Sequence, residues 1–202
     1  MKKLLLVVPL VLTFSFAYAP ESLSKQERKF AIKFLKDSEK NLEHAIRGLS
    51  ASQLSFKPSE DSWSIEETIK HIAVSEENLW NMVDGTIKQP ANPEKRANIK
   101  MNDEQLIAMM ENRSQKFKTS ENFEPKNTKY ANASVALDEF RMNRSKLIAY
   151  MKSTNDDLRN HVATTPAGEF DSYQMTLFIG SHTNRHRLQI EEIKMNENFP
   201  KN

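Results

Sequence analysis

An all-α fold, a bundle of long helices joined by long crossover loops, is what this 202-residue sequence predicts. Apolar residues recur at three- and four-residue spacing along most of the chain, the period of a helix with one buried face. Four of these stretches open on a capping pattern, a small polar residue followed three places later by Glu or Gln. Charged residues make up 28% of the chain and glycine numbers only 4, which suits solvated helices better than a turn-rich β protein.

The amino terminus reads differently. Met1-Lys2-Lys3 is followed by a nearly unbroken apolar run from Leu4 to Phe16 and then by the small-residue pattern Ala17-Tyr18-Ala19. This is the form of a secretory signal peptide over residues 1–19, and it predicts an exported protein, periplasmic or secreted. The run is shorter than the ~20 residues of a comfortable membrane span, so no stable span is expected after cleavage. Pro20 directly after Ala19 is unfavourable for cutting there; a cut after Ala17, or retention as an N-terminal anchor, is the alternative. Residues 20–202 are left as one helical domain.

That domain has no cysteine, which removes disulfides, thiolate ligands and a cysteine nucleophile. Without Lys2 and Lys3 it carries 27 basic against 27 acidic side chains, a balance that does not suggest a nucleic-acid partner. The apolar stripes are long enough for two copies to pair through one helix pair as a homodimer.

Taken in order, Ser24-Lys25-Gln26-Glu27 opens a first helix with Ala31, Phe34, Leu35, Leu42, Ala45 and Ile46 on one face and a stop near Gly48. His44 lies beside this stripe and reads as a packed or exposed histidine. Residues 50–62 read as a connector. Ser64-Ile65-Glu66-Glu67 opens a second helix to about Ile87 with Ile65, Ile69, Ile72, Leu79 and Val83 buried, and Trp63 stands just before the cap. His71 borders that stripe in a polar column with Glu67, Thr68, Ser75 and Asn78, an arrangement suited to a site between helices or to a wet helix edge. Residues 89–101, with Pro90 and Pro93, read as a loop. Asn102-Asp103-Glu104-Gln105 opens a third helix carrying Leu106, Met109, Met110 and Phe117. After a polar loop over 119–132, a fourth begins near Ser134 and buries Leu137, Phe140, Leu147, Ile148 and Met151. Arg144 falls inside that stripe, where it can snorkel, pair with a carboxylate or meet a substrate anion. Residues 155–170 read as irregular.

Asp171-Ser172-Tyr173-Gln174 caps the final helix, which runs to about Met195 and bears His182-Thr183-Asn184-Arg185-His186. A spacing of four places both imidazoles on one face, one turn of ~5.4 Å apart, so that both reach one point. The same face carries Met175, Phe178, Ile179, Ile190 and Ile193, so the histidines interrupt an apolar stripe. Buried ring nitrogens need partners, and for histidines four apart on a helix these are more often structural, or the rings half exposed, than a metal ion.

Two stretches resemble a known family. Pro58, Trp63-Ser64-Ile65-Glu66 and His71-Ile72 are similar to the first signature of the DinB/YfiT-like superfamily. Tyr173-Gln174 with His182-x-x-Arg185-His186-x-x-Gln189-Ile190 is similar to its C-terminal one. The resemblance implies a four-helix bundle in up-down-down-up order with one divalent metal held by His71, His182 and His186. For such a triad zinc is the first choice, with nickel, iron and manganese as other metals that imidazole suits. The resemblance also implies hydrolase or thiol S-transferase chemistry on a small molecule, with an exported, non-catalytic metal- or ligand-binding bundle as the alternative. Three imidazoles leave an open position on the ion for water or substrate. Glu67, four residues before His71, is the candidate general base, although its place in the capping pattern gives it a structural task as well. Gln189 is placed to bond a ligand or substrate, or simply to pack.

Overall fold

The computed structural model describes residues 23–115 and 119–201; the expected signal peptide and Phe117 lie outside them. Four long helices form the bundle: α1 (Lys25–Ile46), α3 (Ile65–Ile87), α5 (Ala133–Ser153) and α6 (Ser172–Lys194). Two short helices, α2 (Ala51–Ser55) and α4 (Asp103–Glu111), lie in the connections. The expected starts are present. Ser24, Ser64 and Asn102 each close a reciprocal capping box, and Asp171 accepts from the Gln174 N–H at 2.7 Å. The stop after α1 is Gly48 at φ 74°, the left-handed conformation that a residue with a Cβ resists.

The long helices pack in the cyclic order α1, α6, α3, α5. Directions follow from the contacts. Tyr173 at the start of α6 donates to the Glu27 carbonyl at the start of α1 (2.9 Å), and Lys194 at its end reaches the Ala45 carbonyl (2.9 Å), so these helices are parallel. Lys70 of α3 bonds the Ala131 carbonyl just before α5 (3.2 Å), and Trp80 meets Tyr150 edge-on further along (4.9 Å), so that pair is parallel too. Arg28 at the start of α1 bonds the Met151 and Thr154 carbonyls at the end of α5 (2.7 and 2.8 Å). The two parallel pairs therefore run in opposite directions, which is the up-down-down-up order.

Several stretches depart from the sequence expectation. The third helix ends at Glu111, short of position 117, and the polar loop over 119–132 holds two 3₁₀ turns, Glu121–Phe123 and Pro125–Asn127. The connector after α1 contains α2, which has its own capping box, Ser50 with Gln53; one turn is too short to show a period. The proline-rich loop holds a 3₁₀ segment, Pro93–Asn98, in which Pro93 takes the first position, where no N–H is needed. The stretch before α6 is a two-stranded antiparallel hairpin, β1 (Val162–Thr165) with β2 (Gly168–Asp171), and Thr165 pairs with Gly168 across the turn. Four-residue strands fall below what alternation reveals. The class remains all-α.

Burial divides the interior into two apolar clusters with a polar layer between them. Leu35, Leu147 and Ile179 belong to one cluster; Leu42, Phe140 and Ile190 belong to the other. At the intervening level stand Ser38, Glu76, Arg144 and Thr183, one from each long helix, all buried. Arg144, with no exposed surface, spends all five of its N–H donors. Two go to Glu76 (2.6 and 2.8 Å), and one each to the Leu35 carbonyl (2.7 Å), Ser38 (2.6 Å) and Thr183 (2.9 Å). Of the roles open to this arginine in the sequence, pairing with a carboxylate is the one observed.

The final helix is enclosed more completely than a single stripe implies, because α1, α3 and α4 all pack on it. Three of its buried hydroxyls are satisfied within the helix: Thr176, Ser181 and Thr183 donate to carbonyls four residues back. Gly180 lets α1 come close, since a Cβ there would meet the Phe34 ring at 2.7 Å.

Candidate metal centre

The antiparallel contact of α3 with α6 brings His71 opposite His182 and His186. The Nε2 atom of His71 lies 3.2 Å from that of His182 and 3.1 Å from that of His186. Among the described residues, this is the one group of three or more His, Cys, Asp or Glu whose ligand atoms converge, all within 4.8 Å of one another. His71 and His186 are buried and His182 is half-buried. Trp63 walls one side, its ring 4.8 Å from His71 and 6.3 Å from His186, and Phe178 stacks on His182 at 6.3 Å.

Outer hydrogen bonds fix how two of the rings face the centre. Nδ1 of His71 lies 2.8 Å from the Phe123 carbonyl, and Nδ1 of His186 lies 2.9 Å from Oε1 of Gln189. Both partners are acceptors, so both Nδ1 atoms carry the hydrogen, and each neutral ring turns a bare lone pair on Nε2 inward. Two lone pairs 3.1 Å apart repel unless a cation lies between them. The separation is also the one a metal requires: ligands at 2.0–2.1 Å around a tetrahedral ion stand about 3.3 Å apart. The donor set, its spacing and its tautomers therefore fit a divalent ion.

The rings are neutral as well as aligned. Burial pushes His71 down to about 4 against the opposing effect of its bond to Phe123. Burial holds His182 and His186 well below the ordinary imidazole value, and the neighbouring histidines add to it. Protons thus compete weakly for the nitrogens.

The other expected residues fall as follows. Gln189 bonds His186, one of its expected uses. Glu67 is engaged on both oxygens, one accepting from the Ser64 N–H (2.8 Å) and the other from Lys57 (2.8 Å). Burial raises its carboxyl, but the bonds from Lys57 and Ser64 outweigh this and hold it below the usual range. It is not among the converging ligand atoms. Asn78 is exposed and bonds the Val74 carbonyl (2.7 Å), away from a site role. His44 is exposed on α1, and His161 faces the Asp157 and Gln89 carbonyls (2.7 and 3.0 Å). Arg185, between the two α6 histidines in sequence, donates to the Met110 (3.1 Å), Asn112 and Gln115 (2.5 Å) carbonyls, and so closes the exposed end of α4. The Phe123 contribution is a backbone atom in the 3₁₀ turn Glu121–Phe123, for which side-chain patterns carry no signal.

The family model of the DinB superfamily matches residues 35–190. A curated relative, the uncharacterized protein YuaE of Bacillus subtilis (strain 168), is 29% identical over 150 residues, covering 74% of this chain and 88% of YuaE. The solved structure of YfiT from Bacillus subtilis, described as a probable metal-dependent hydrolase with an unusual four-helix bundle topology, superposes with a TM-score of 0.60. It covers 91% of this chain and 95% of YfiT at 18% identity. No described helix here is long and apolar enough to cross a membrane. A match over this length, on a bundle whose second and last long helices bring three imidazoles together, places the chain in the DinB superfamily.

Proposed function

We propose that this protein is a divalent-metal-dependent hydrolase acting on a small molecule, with His71, His182 and His186 as the ligands and zinc as the resident ion. The observation that carries the reading is the pair of inward lone pairs on His71 and His186, 3.1 Å apart with both tautomers fixed from outside. A divalent ion held there supplies a Lewis acid that activates water near neutral pH and polarises a substrate oxygen.

The chain's own residues do the rest. Phe123 and Gln189 keep the two rings from turning. Trp63 and Phe178 exclude water from two sides of the cluster. Glu67 fixes the first turn of the helix that carries His71. Service as general base would require its carboxylate to leave Lys57 and the cap.

The description of YfiT as a probable metal-dependent hydrolase supports this reading through a shared fold. Thiol S-transfer and non-catalytic ligand binding use the same centre. The test is metal analysis of untagged protein followed by a screen of esters, amides and thiol-plus-electrophile pairs, metal-loaded against chelated. About one equivalent of metal and hydrolysis lost on chelation are expected. Stoichiometric metal with no turnover would leave a binding protein, and turnover indifferent to chelation would remove the metal from the chemistry.

A further inference from the structure

The outward face of α1 is rich in basic residues. Lys25, Lys29, Lys33, Lys36, Lys40 and Arg47 are all exposed. At 100° per residue they fall within an arc of about 80°, opposite the buried Ala31, Leu35, Leu42 and Ala45, and form a straight ridge about 33 Å long. Three carboxylates border the arc: Asp37 pairs with Lys33, Glu43 pairs with Arg141 (2.6 Å), and the half-buried Glu39 lies on the side away from Asp37. Among the described residues, the other five cations of the ridge have no ion-pair partner. Toward its amino-terminal end, Ile32 lines a depression of about 500 Å³ together with Lys25, Arg28, Lys29, Lys33, Lys36 and one carboxylate, Asp37. Phe30, 47% exposed, stands on the flank. Since the domain as a whole is close to neutral, the ridge reflects segregation of charge rather than an excess of it.

We propose that this ridge docks the protein on an anionic lipid surface. A straight row of lysines suits a plane of phosphate headgroups, because a compact ammonium acts as a point charge in a diffuse field. The exposed aromatic beside the row is of the type that enters the interfacial layer. The sequence supplies a second reason. The apolar run Leu4–Phe16 precedes the Ser24 cap by only seven residues, a reach of at most ~25 Å, so an uncleaved run holds the amino-terminal end of the ridge at the membrane.

The test is sedimentation of the full chain with phosphatidylcholine vesicles, with and without about 30% phosphatidylglycerol, at about 0.1 M salt. The readout is the ratio of the two partition coefficients, from which the apolar run cancels, while the contribution of Lys2 and Lys3 is common to the native chain and the variants. The ratio is expected to exceed about 100 for the native chain and to fall about fivefold in K36Q, the loss corresponding to about 1 kcal/mol per lysine at a charged surface. It should approach one in the K29Q/K33Q/K36Q/K40Q variant, and in the native chain at about 0.5 M salt. The four side chains are exposed, so the variant should keep its circular dichroism and metal content; the salt titration reads the same property with no substitution. A native ratio near one, or a ratio the quadruple variant leaves unchanged, overturns the proposal. So does duplex DNA that displaces the vesicles at equal phosphate, which would assign the ridge to nucleic acid.

Discussion

His71 is held by Phe123: its Nδ1–H donates to that residue's carbonyl at 2.8 Å, across 52 positions of sequence. Gln189 does the same for His186 from one turn away on the same helix. One ring is thus oriented by a loop backbone and the other by a side chain, and only the second can be altered by substitution. Loss of a partner of this kind costs 10–100-fold in metal affinity. Gln189→Ala is expected to weaken zinc binding about tenfold in chelator competition, with Gln189→Glu restoring most of it; unchanged affinity in the alanine variant would deny Gln189 this task.

Removing a ligand outright is more severe. His182→Ala leaves two imidazoles, and metal content after dialysis is expected to fall below about 0.1 equivalent. Retention of a full equivalent would move the centre elsewhere.

The polar layer predicts an asymmetry. Arg144→Met leaves the Glu76 carboxylate buried without its counter-charge, at a cost of about 3–5 kcal/mol in urea denaturation. Adding Glu76→Leu should recover much of that loss, because two apolar side chains leave no uncompensated charge. If the double variant is no more stable than the single, the ion pair is not the origin of the cost.

Acid should destabilise the metal-free protein through the same imidazoles. An unfolded histidine titrates near 6.5, whereas burial brings folded His71 down to about 4. Between these values the unfolded chain takes up a proton that the folded chain refuses. The stability contribution is therefore complete above about pH 6.5 and is lost as pH falls toward 4. Urea midpoints of chelator-treated protein should drop across this window, and His71→Gln should flatten the slope. A midpoint constant from about pH 6.5 to 5 would contradict the burial argument.

Close packing of α1 on α6 rests on Gly180. Gly180→Ala puts a methyl against Phe34, and a destabilisation of about 1–3 kcal/mol is expected in the same assay. Phe34→Leu in that background should return part of it.

Much of this molecule is legible from residues alone. Capping patterns at Ser24, Ser64, Asn102 and Asp171 mark four of the helix starts, because a cap is a local bond between residues three apart. The His182/His186 spacing shows one edge of the centre for the same reason. What escapes is non-local or too short to repeat. The four-residue strands beside Gly168 and the single turn of α2 carry no period. The Phe123 carbonyl has no side-chain signature. The enclosure of α6 depends on α4 folding back over it, and Arg144 gave no indication beforehand of which carboxylate it would meet.

The parallel pairing of α1 with α6 has a bearing on assembly. Partners 111 and 115 positions apart meet in the triad, and the last of them comes from a helix that threads between elements made much earlier. No amino-terminal fragment emerging from a ribosome or a translocation channel carries a complete coordination set. An ion held by this triad would be acquired only once His186 has been made and α6 has docked, so the compartment in which folding ends would decide which element is on offer.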